Sequence, residues 1–140
     1  MAYNKTVTHK NLIGAATKAK LAAYAPYSKF AVGAAILTKN GRMFTGCNVE
    51  NVSLGLTICA ERSAAAAAIA AGDKEFVMIG VVTDSKKPAV PCGACRQVLA
   101  EFNPRMKVIA AATGGEVEEF QLDALLPKPD QGILETDRNV

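Results

Sequence analysis

Three cysteines in two separate segments constrain this chain most, because one metal ion can claim all three only in a fold that brings Cys59 beside Cys92 and Cys95. Cys59-Ala60-Glu61 offers a soft ligand followed two residues later by a carboxylate, and Pro91-Cys92-Gly93-Ala94-Cys95 offers two more. Structural zinc sites close on four protein ligands, whereas catalytic ones keep three and leave the fourth position to water or substrate. The missing fourth ligand points to chemistry. The competing reading is a buried Cys59 that precedes a Cys-x-x-Cys redox pair: cysteine is among the most buried residue types, and Pro91-Cys92 partly satisfies a strand-to-helix context. That reading leaves Glu61 unexplained.

At 140 residues the chain has the length of one domain, expected to span 1–140, and is large enough to bury a core. Half of its residues are hydrophobic. No uninterrupted apolar run approaches the ~20 residues needed to cross a bilayer. The first ten residues are polar and lack the apolar centre of a signal peptide, which argues for a cytoplasmic protein with reduced thiols and no membrane partner. Four cysteines then suggest metal before disulfide. The net charge of +3 is unevenly placed, with Lys5, Lys10, Lys18, Lys20, Lys29, Lys39 and Arg42 all preceding the first acid, Glu50. These bases form no cluster and no RNA-binding aromatic signature accompanies them, so a solvated surface and no nucleic-acid partner are expected. Glu116, Glu118, Glu119 and Asp123 are read as solvated in the same way.

The hydrophobic pattern predicts alternating elements without linkers or repeats. Leu12, Ala15, Ala16, Ala19 and Ala23 recur at helical spacing, predicting a helix over 8–23 with Thr8 as its cap. After Tyr24-Ala25-Pro26-Tyr27, residues 30–38 read as a buried strand that Lys39-Asn40-Gly41 turns into a second strand over 42–47. A helix over 58–71 would carry Cys59 and Glu61 in its first turn, pack the alanines 64–68 closely and stop at Gly72. A continuous apolar strand at 76–83 precedes a helix that starts at Pro91 and runs to Phe102. A strand over 106–112 and a short strand plus helical turn over 117–126 complete a mixed sheet flanked by helices.

This placement puts all three thiols at helix N-termini. Three thiolates on Zn²⁺ make a net negative centre, which resists ionising a bound water more than a neutral three-histidine site does. Helix N-termini offset part of that charge, and Arg62 and Arg96 are candidates to add a full charge or hydrogen bonds to the sulfurs. The alternative for either arginine is a surface ion pair or a packed stem. Glu61 has the clearest chemical role, since a carboxylate beside an acidified water can take its proton and pass it on. Its alternative is simply to favour the positive end of its helix. Cys47 reads as a buried small hydrophobe and His9 as a solvated residue.

With these motifs in hand, the chain resembles the small zinc-dependent cytidine deaminases from about Leu12 to Leu126. The resemblance is carried by Tyr24-Ala25-Pro26-Tyr27-Ser28-Lys29-Phe30-Ala31-Val32-Gly33-Ala34-Ala35, by Gly46-Cys47-Asn48-Val49-Glu50-Asn51, and by Thr57-Ile58-Cys59-Ala60-Glu61-Arg62. It implies a three-layer α/β/α fold around a mixed sheet of about five strands. It also implies one Zn²⁺ per chain on Cys59, Cys92 and Cys95. Asn48 and Glu50 would hydrogen-bond the ribose 3′ hydroxyl, Phe30 would pack against the pyrimidine, and the Ala60 N–H would meet the base carbonyl. Glu61 would hold ring N3 and carry protons while water attacks C4, giving uridine (or deoxyuridine) and ammonia. From the residues alone, Phe30 also fits a core position, and Asn48 and Glu50 fit loop positions whose alternation about Val49 points both side chains one way.

The chain departs from the family pattern twice. Leu54 stands where a tyrosine is usual, and no aromatic residue follows Leu125-Leu126-Pro127, where the family often supplies one to a neighbouring subunit's base. Lower affinity or an altered base preference is the expected result, because stacking on an aromatic contributes about 1–3 kcal/mol per base. The resemblance further implies a homotetramer with shared active sites and a place in pyrimidine salvage. Three rivals stay open at this level. One is a same-fold deaminase of another cytosine compound such as blasticidin S, another is a non-catalytic zinc- or nucleoside-binding module, and the last is an RNA-editing enzyme, which the lack of a basic channel disfavours.

Overall fold

The computed structural model describes residues 5–130, with side chains from Thr8 onward. The order of elements is α1 (Lys5–Lys20), β1 (Val32–Thr38), β2 (Met43–Cys47), α2 (Ala60–Ala70), β3 (Phe76–Thr83), α3 (Gly93–Phe102), β4 (Lys107–Ala112), β5 (Val117–Gln121) and α4 (Leu122–Leu125). The five strands form one mixed sheet in the order β2-β1-β3-β4-β5. Only β3 and β4 run parallel, joined by the crossover through α3, and the other neighbours are antiparallel. The chain therefore has the three-layer α/β/α arrangement expected of it.

Strand periodicity decides which helix covers which face. Ala35, Met78, Val82, Ile109 and Ala111 point to one side, where Leu12 and Ala16 of α1 close over them. Ala34, Ile36, Ile79, Val81 and Val108 point to the other, under Ala60, Ala64, Ala65 and Ala68 of α2 and Leu99 of α3. Burying side chains such as Ile79 and Leu99 stabilises the fold by roughly 2 kcal/mol each. Alanine lets α2 come very close. A Cβ added to Gly46 of β2 would lie 2.3 Å from the Ala64 nitrogen, and one added to Gly33 of β1 would lie 1.9 Å from the Ala16 carbonyl oxygen on the opposite face.

The β1–β2 turn uses Gly41 at φ +80. Below it, buried Asp73 accepts bonds from Thr38 Oγ1 at 2.9 Å and Asn40 Nδ2 at 3.1 Å, with Arg42 Nη1 at 3.5 Å, tying the hairpin to the connection between α2 and β3. Gly72 ends α2 at φ +94, as its sequence position predicts.

Several expected boundaries move, each for a local reason. Helix α1 begins before Thr8 and ends at Lys20, since the Leu21, Ala22 and Ala23 N–H groups make three-residue turn bonds to Lys18, Ala19 and Lys20. Strand β1 starts at Val32, because the Phe30 N–H and carbonyl are taken by the Ser28 and Asn48 side chains. Cys59 and Cys92 stand just before α2 and α3 as extended N-cap residues, so neither lies inside a first turn. His9 is not solvated: its side chain is 17% exposed, Nδ1 lies 4.0 Å from Glu119 Oε2, and Nε2 is buried without a hydrogen-bond partner among the described residues. Lys20 also departs from the solvated reading, since its nearly buried ammonium pairs with Asp84. Among the described residues no helix is long and apolar enough to cross a membrane.

Candidate active site and metal centre

Two helix starts create the site. At Cys59 (φ −72, ψ 155) and Cys92 (φ −64, ψ 169) the extended backbone lets the residue's carbonyl accept the first helical bond, from Ser63 and Arg96 respectively. Neither side chain is spent on capping its own helix. Both sulfurs are thus free to project, and Cys95, one turn into α3, joins them from the buried side. Cys92 Sγ lies 3.8 Å from Cys59 Sγ and 3.4 Å from Cys95 Sγ, and all three sulfurs fall within 4.8 Å of one another.

A Zn–S bond near 2.3 Å with tetrahedral angles sets ligand sulfurs roughly 3.8 Å apart, so this spacing suits one zinc ion per chain. Three soft donors, with no fourth metal-binding side chain in the cluster among the described residues, make it an open site and not a closed structural one. Cys47 stands apart, half-buried on β2 opposite Gly33.

Charge around the sulfurs is arranged for thiolate. The Cys59 thiol is held down to about 5, first by the neighbouring Cys95 side chain, then by Arg62 and Cys92. Cys95 is pushed up by the Cys59 side chain beside it and by burial. Arg62 Nη2 lies 3.5 Å from Cys59 Sγ and 3.3 Å from the Thr57 carbonyl, which places a fixed cation against the cluster. Arg96 does otherwise: Nε donates to the Pro91 carbonyl at 2.8 Å and Nη1 to the Leu125 carbonyl at 3.0 Å, so it braces the turn that carries Cys92 instead of bonding a thiol. Gln97 adds a bond to the Pro129 carbonyl at 2.9 Å. The tail beyond Asp130, part of the aromatic-free segment, lies outside the described residues.

Glu61 follows in the first turn of α2 and is 5% exposed. Burial, then the adjacent Cys59 thiolate, raises its pKa above the ordinary carboxylate value. A carboxyl with raised affinity for protons beside a metal cluster is suited to both accept and release one. Ala60, fully buried, places its backbone at the same helix start.

The second half of the site is irregular chain. Val49 exchanges two backbone bonds of 2.9 Å with Ile58, fastening the segment 48–50 next to Cys59. Tyr24 pairs with the other edge of this segment, through its N–H to Asn48 and its carbonyl to Glu50. Asn48 and Glu50 send their side chains the same way, as their alternation predicts. Buried Asn48 donates to the Phe30 carbonyl at 2.8 Å and accepts from the Val32 N–H at 2.9 Å. Glu50 Oε1 accepts from the Tyr27 and Ser28 N–H groups at 3.0 and 3.1 Å, while Oε2 accepts from the Ser28 hydroxyl. These bonds, the Ser28 hydroxyl foremost, hold Glu50 ionised below the usual carboxylate range. Phe30 is 39% exposed, which answers the core alternative: its ring is available at a surface. Sequence reasoning missed Ser28, although it lies within the passage 24–35. A groove of about 550 Å³ lined by Lys39, Lys74, Phe76 and Phe102 sits at the opposite end of β3 and shares no residue with this site.

Comparison with known proteins gives a consistent picture. Residues 6–112 match the family model for the cytidine and deoxycytidylate deaminase zinc-binding region. A cytidine deaminase of Halalkalibacterium halodurans is 49% identical over 117 residues, covering 83% of this chain and 89% of that protein. One from Sporosarcina psychrophila is 46% identical over 119 residues, covering 84% and 88%. The crystal structure of cytidine deaminase from Burkholderia pseudomallei superposes with a TM-score of 0.83 at 48% identity, covering 85% of this chain and 96% of that one. Cysteines gathered at two helix starts, the five-stranded sheet that aligns them and the matched span together establish that this chain belongs to the cytidine and deoxycytidylate deaminase family.

Proposed function

We propose that the chain is a zinc-dependent hydrolase that converts cytidine and 2′-deoxycytidine, with water, to uridine or deoxyuridine and ammonia. The observation that carries this reading is buried Glu61 beside a three-sulfur cluster, in a chain 49% identical to a cytidine deaminase over 83% of its length. When bound, zinc supplies a Lewis acid that lowers the pKa of a coordinated water toward ~7. Cys59, Cys92 and Cys95 would hold the ion, and Arg62 would balance part of their charge. Glu61 would take one proton from the water and give it to ring N3, then carry the second water proton to the amine as its bond to C4 breaks, leaving the oxygen on C4 as the carbonyl. The Ala60 N–H bonds the base carbonyl, Phe30 lies against the pyrimidine, and Asn48 with Glu50 receives the ribose 3′ hydroxyl. Polar groups built for that hydroxyl reject compounds that lack it, since they are otherwise left unpaired.

Ammonia release from cytidine, deoxycytidine, free cytosine and blasticidin S, before and after chelation, tests the reading. Turnover of the two nucleosides that vanishes on chelation and returns with zinc supports it. A preference for cytosine or blasticidin S, or no ammonia from any of the four by zinc-loaded protein, would refute it.

A homotetramer with active sites completed by neighbouring subunits goes with this function. Val52, Leu54 and Leu56 are 78%, 73% and 67% exposed on or beside a 3-10 turn (Leu54–Leu56) that continues from the segment 48–50, an apolar run that suits a subunit contact. Leu54, where the family usually has tyrosine, would face that contact. A cytoplasmic setting suits three reduced thiols, and release of a uracil nucleoside suits pyrimidine salvage.

A further inference from the structure

Ser28 stands between the two elements assigned to the nucleoside. Its hydroxyl donates to Glu50 Oε2 and accepts the Phe30 N–H at 3.0 Å, so one oxygen joins the carboxylate proposed for the sugar to the backbone that carries the ring proposed for the base. Between them Lys29 adopts φ 59, a left-handed conformation that side-chain-bearing residues avoid unless the surroundings hold them there. The surroundings are identifiable. Lys29 N–H bonds the Ala25 carbonyl at 3.1 Å, Glu50 Oε1 takes the Tyr27 and Ser28 N–H groups, and the Ser28 hydroxyl closes the turn. With three donors from its own chain, the Glu50 carboxylate has its direction set before any ligand arrives.

We infer that Ser28 is a positioning residue that couples the sugar and base halves of the nucleoside pocket by aiming Glu50 and Phe30 from one hydroxyl. This inference rests on the nucleoside reading above. Without the hydroxyl, Glu50 Oε2 gains a rotational freedom that weakens its bond to the ribose 3′ hydroxyl, and the Phe30 N–H loses its acceptor. The loss falls on discrimination for the sugar hydroxyl before it falls on the chemistry at C4, which Glu61 and the cysteines perform.

The test compares cytidine with 3′-deoxycytidine on zinc-loaded wild type, Ser28→Ala, Ser28→Cys and Ser28→Thr. Wild type is expected to favour cytidine in kcat/KM by about a hundredfold or more, as sites built to bond a hydroxyl do. Ser28→Ala is expected to reduce that preference about tenfold, mainly through KM for cytidine, the size of effect that a hydrogen bond to a charged group supports. Ser28→Thr, which keeps the hydroxyl on an exposed position, is expected to retain the preference, and Ser28→Cys, with a weaker donor of similar size, to fall between. A merely structural serine would lower both substrates together and leave the ratio unchanged, which overturns the inference. Loss of the ratio in Ser28→Thr as large as in Ser28→Ala overturns it too, because the hydroxyl is then irrelevant. Wild type that treats the two nucleosides alike removes the sugar-recognition reading and the Ser28 inference together, whereas wild type that discriminates beside an indifferent Ser28→Ala removes Ser28 alone.

Discussion

The two halves of the site are held by different means. The cysteine cluster rests on the starts of α2 and α3, where backbone bonds and buried alanines fix the direction of each sulfur. The half proposed for the nucleoside is a turn and a loop outside the strands, held by the side chains of Asn48, Glu50 and Ser28. A centre on helix ends tolerates little displacement, while a turn held by a few polar contacts can be retuned by single substitutions. Chemistry is therefore expected to be stubborn and selectivity adjustable.

That contrast can be attacked from its strongest point downward. Glu61→Gln is expected to lower kcat about 10⁴-fold, at the upper end for a lost acid–base group, while zinc stays at one per chain by metal analysis. Loss of the metal in this variant would mean that the two functions are not separable at the helix start. Gly46→Ala forces a methyl to within 2.6 Å of the Ala60 carbonyl oxygen as well as 2.3 Å of the Ala64 nitrogen, so α2 must shift. The cost is about 3 kcal/mol in chemical denaturation, with zinc affinity falling alongside stability. An undisturbed metal affinity would show that the cluster does not depend on the seat of α2. Arg62→Ala removes the cation from Cys59 and is expected to weaken zinc binding about 10–100-fold in chelator competition, with KM for cytidine little changed.

The smallest effect belongs to the loop half. Because Glu50 has a lowered pKa when folded, its bonds stabilise the protein fully above the unfolded value near 4.5 and are lost as pH falls through the lower folded value. The stability gap between wild type and Glu50→Gln should thus shrink on acidification below about pH 4.5. A gap that widens there would show that the turn is not held by the ionised carboxylate.

Legibility in the sequence follows the same division. Periodic runs such as Phe76–Thr83 and the alanines of α2 declare their elements, because strand and helix spacing are local properties. Soft ligands with a carboxylate at a fixed offset are likewise local, and the structure brings Cys59, Cys92 and Cys95 together. Arg62 meets Cys59 from three residues away, within reach of helical reasoning. Arg96 is spent elsewhere, because its partner is the Leu125 carbonyl, 29 residues later, and no pattern in the sequence announces that bond. The burial of His9 is hidden for the same reason: its neighbour Glu119 lies on β5, far along the chain. Ser28 donates across 22 residues to Glu50, so its place emerges only when the Tyr24 turn and the Val49 bridge are both in position.

Gly33 and Gly46 stand on neighbouring rungs of the β1–β2 ladder, opposite Cys47 and Ala34, and each leaves its own face of the sheet bare. At this edge α1 and α2 settle directly on peptide backbone from opposite sides. A transplant that moved α2, with Cys59 and Glu61, into another three-layer scaffold would therefore fail unless a glycine in the place of Gly46 travelled with it. The portable module of this chain is a helix together with the gap it fits.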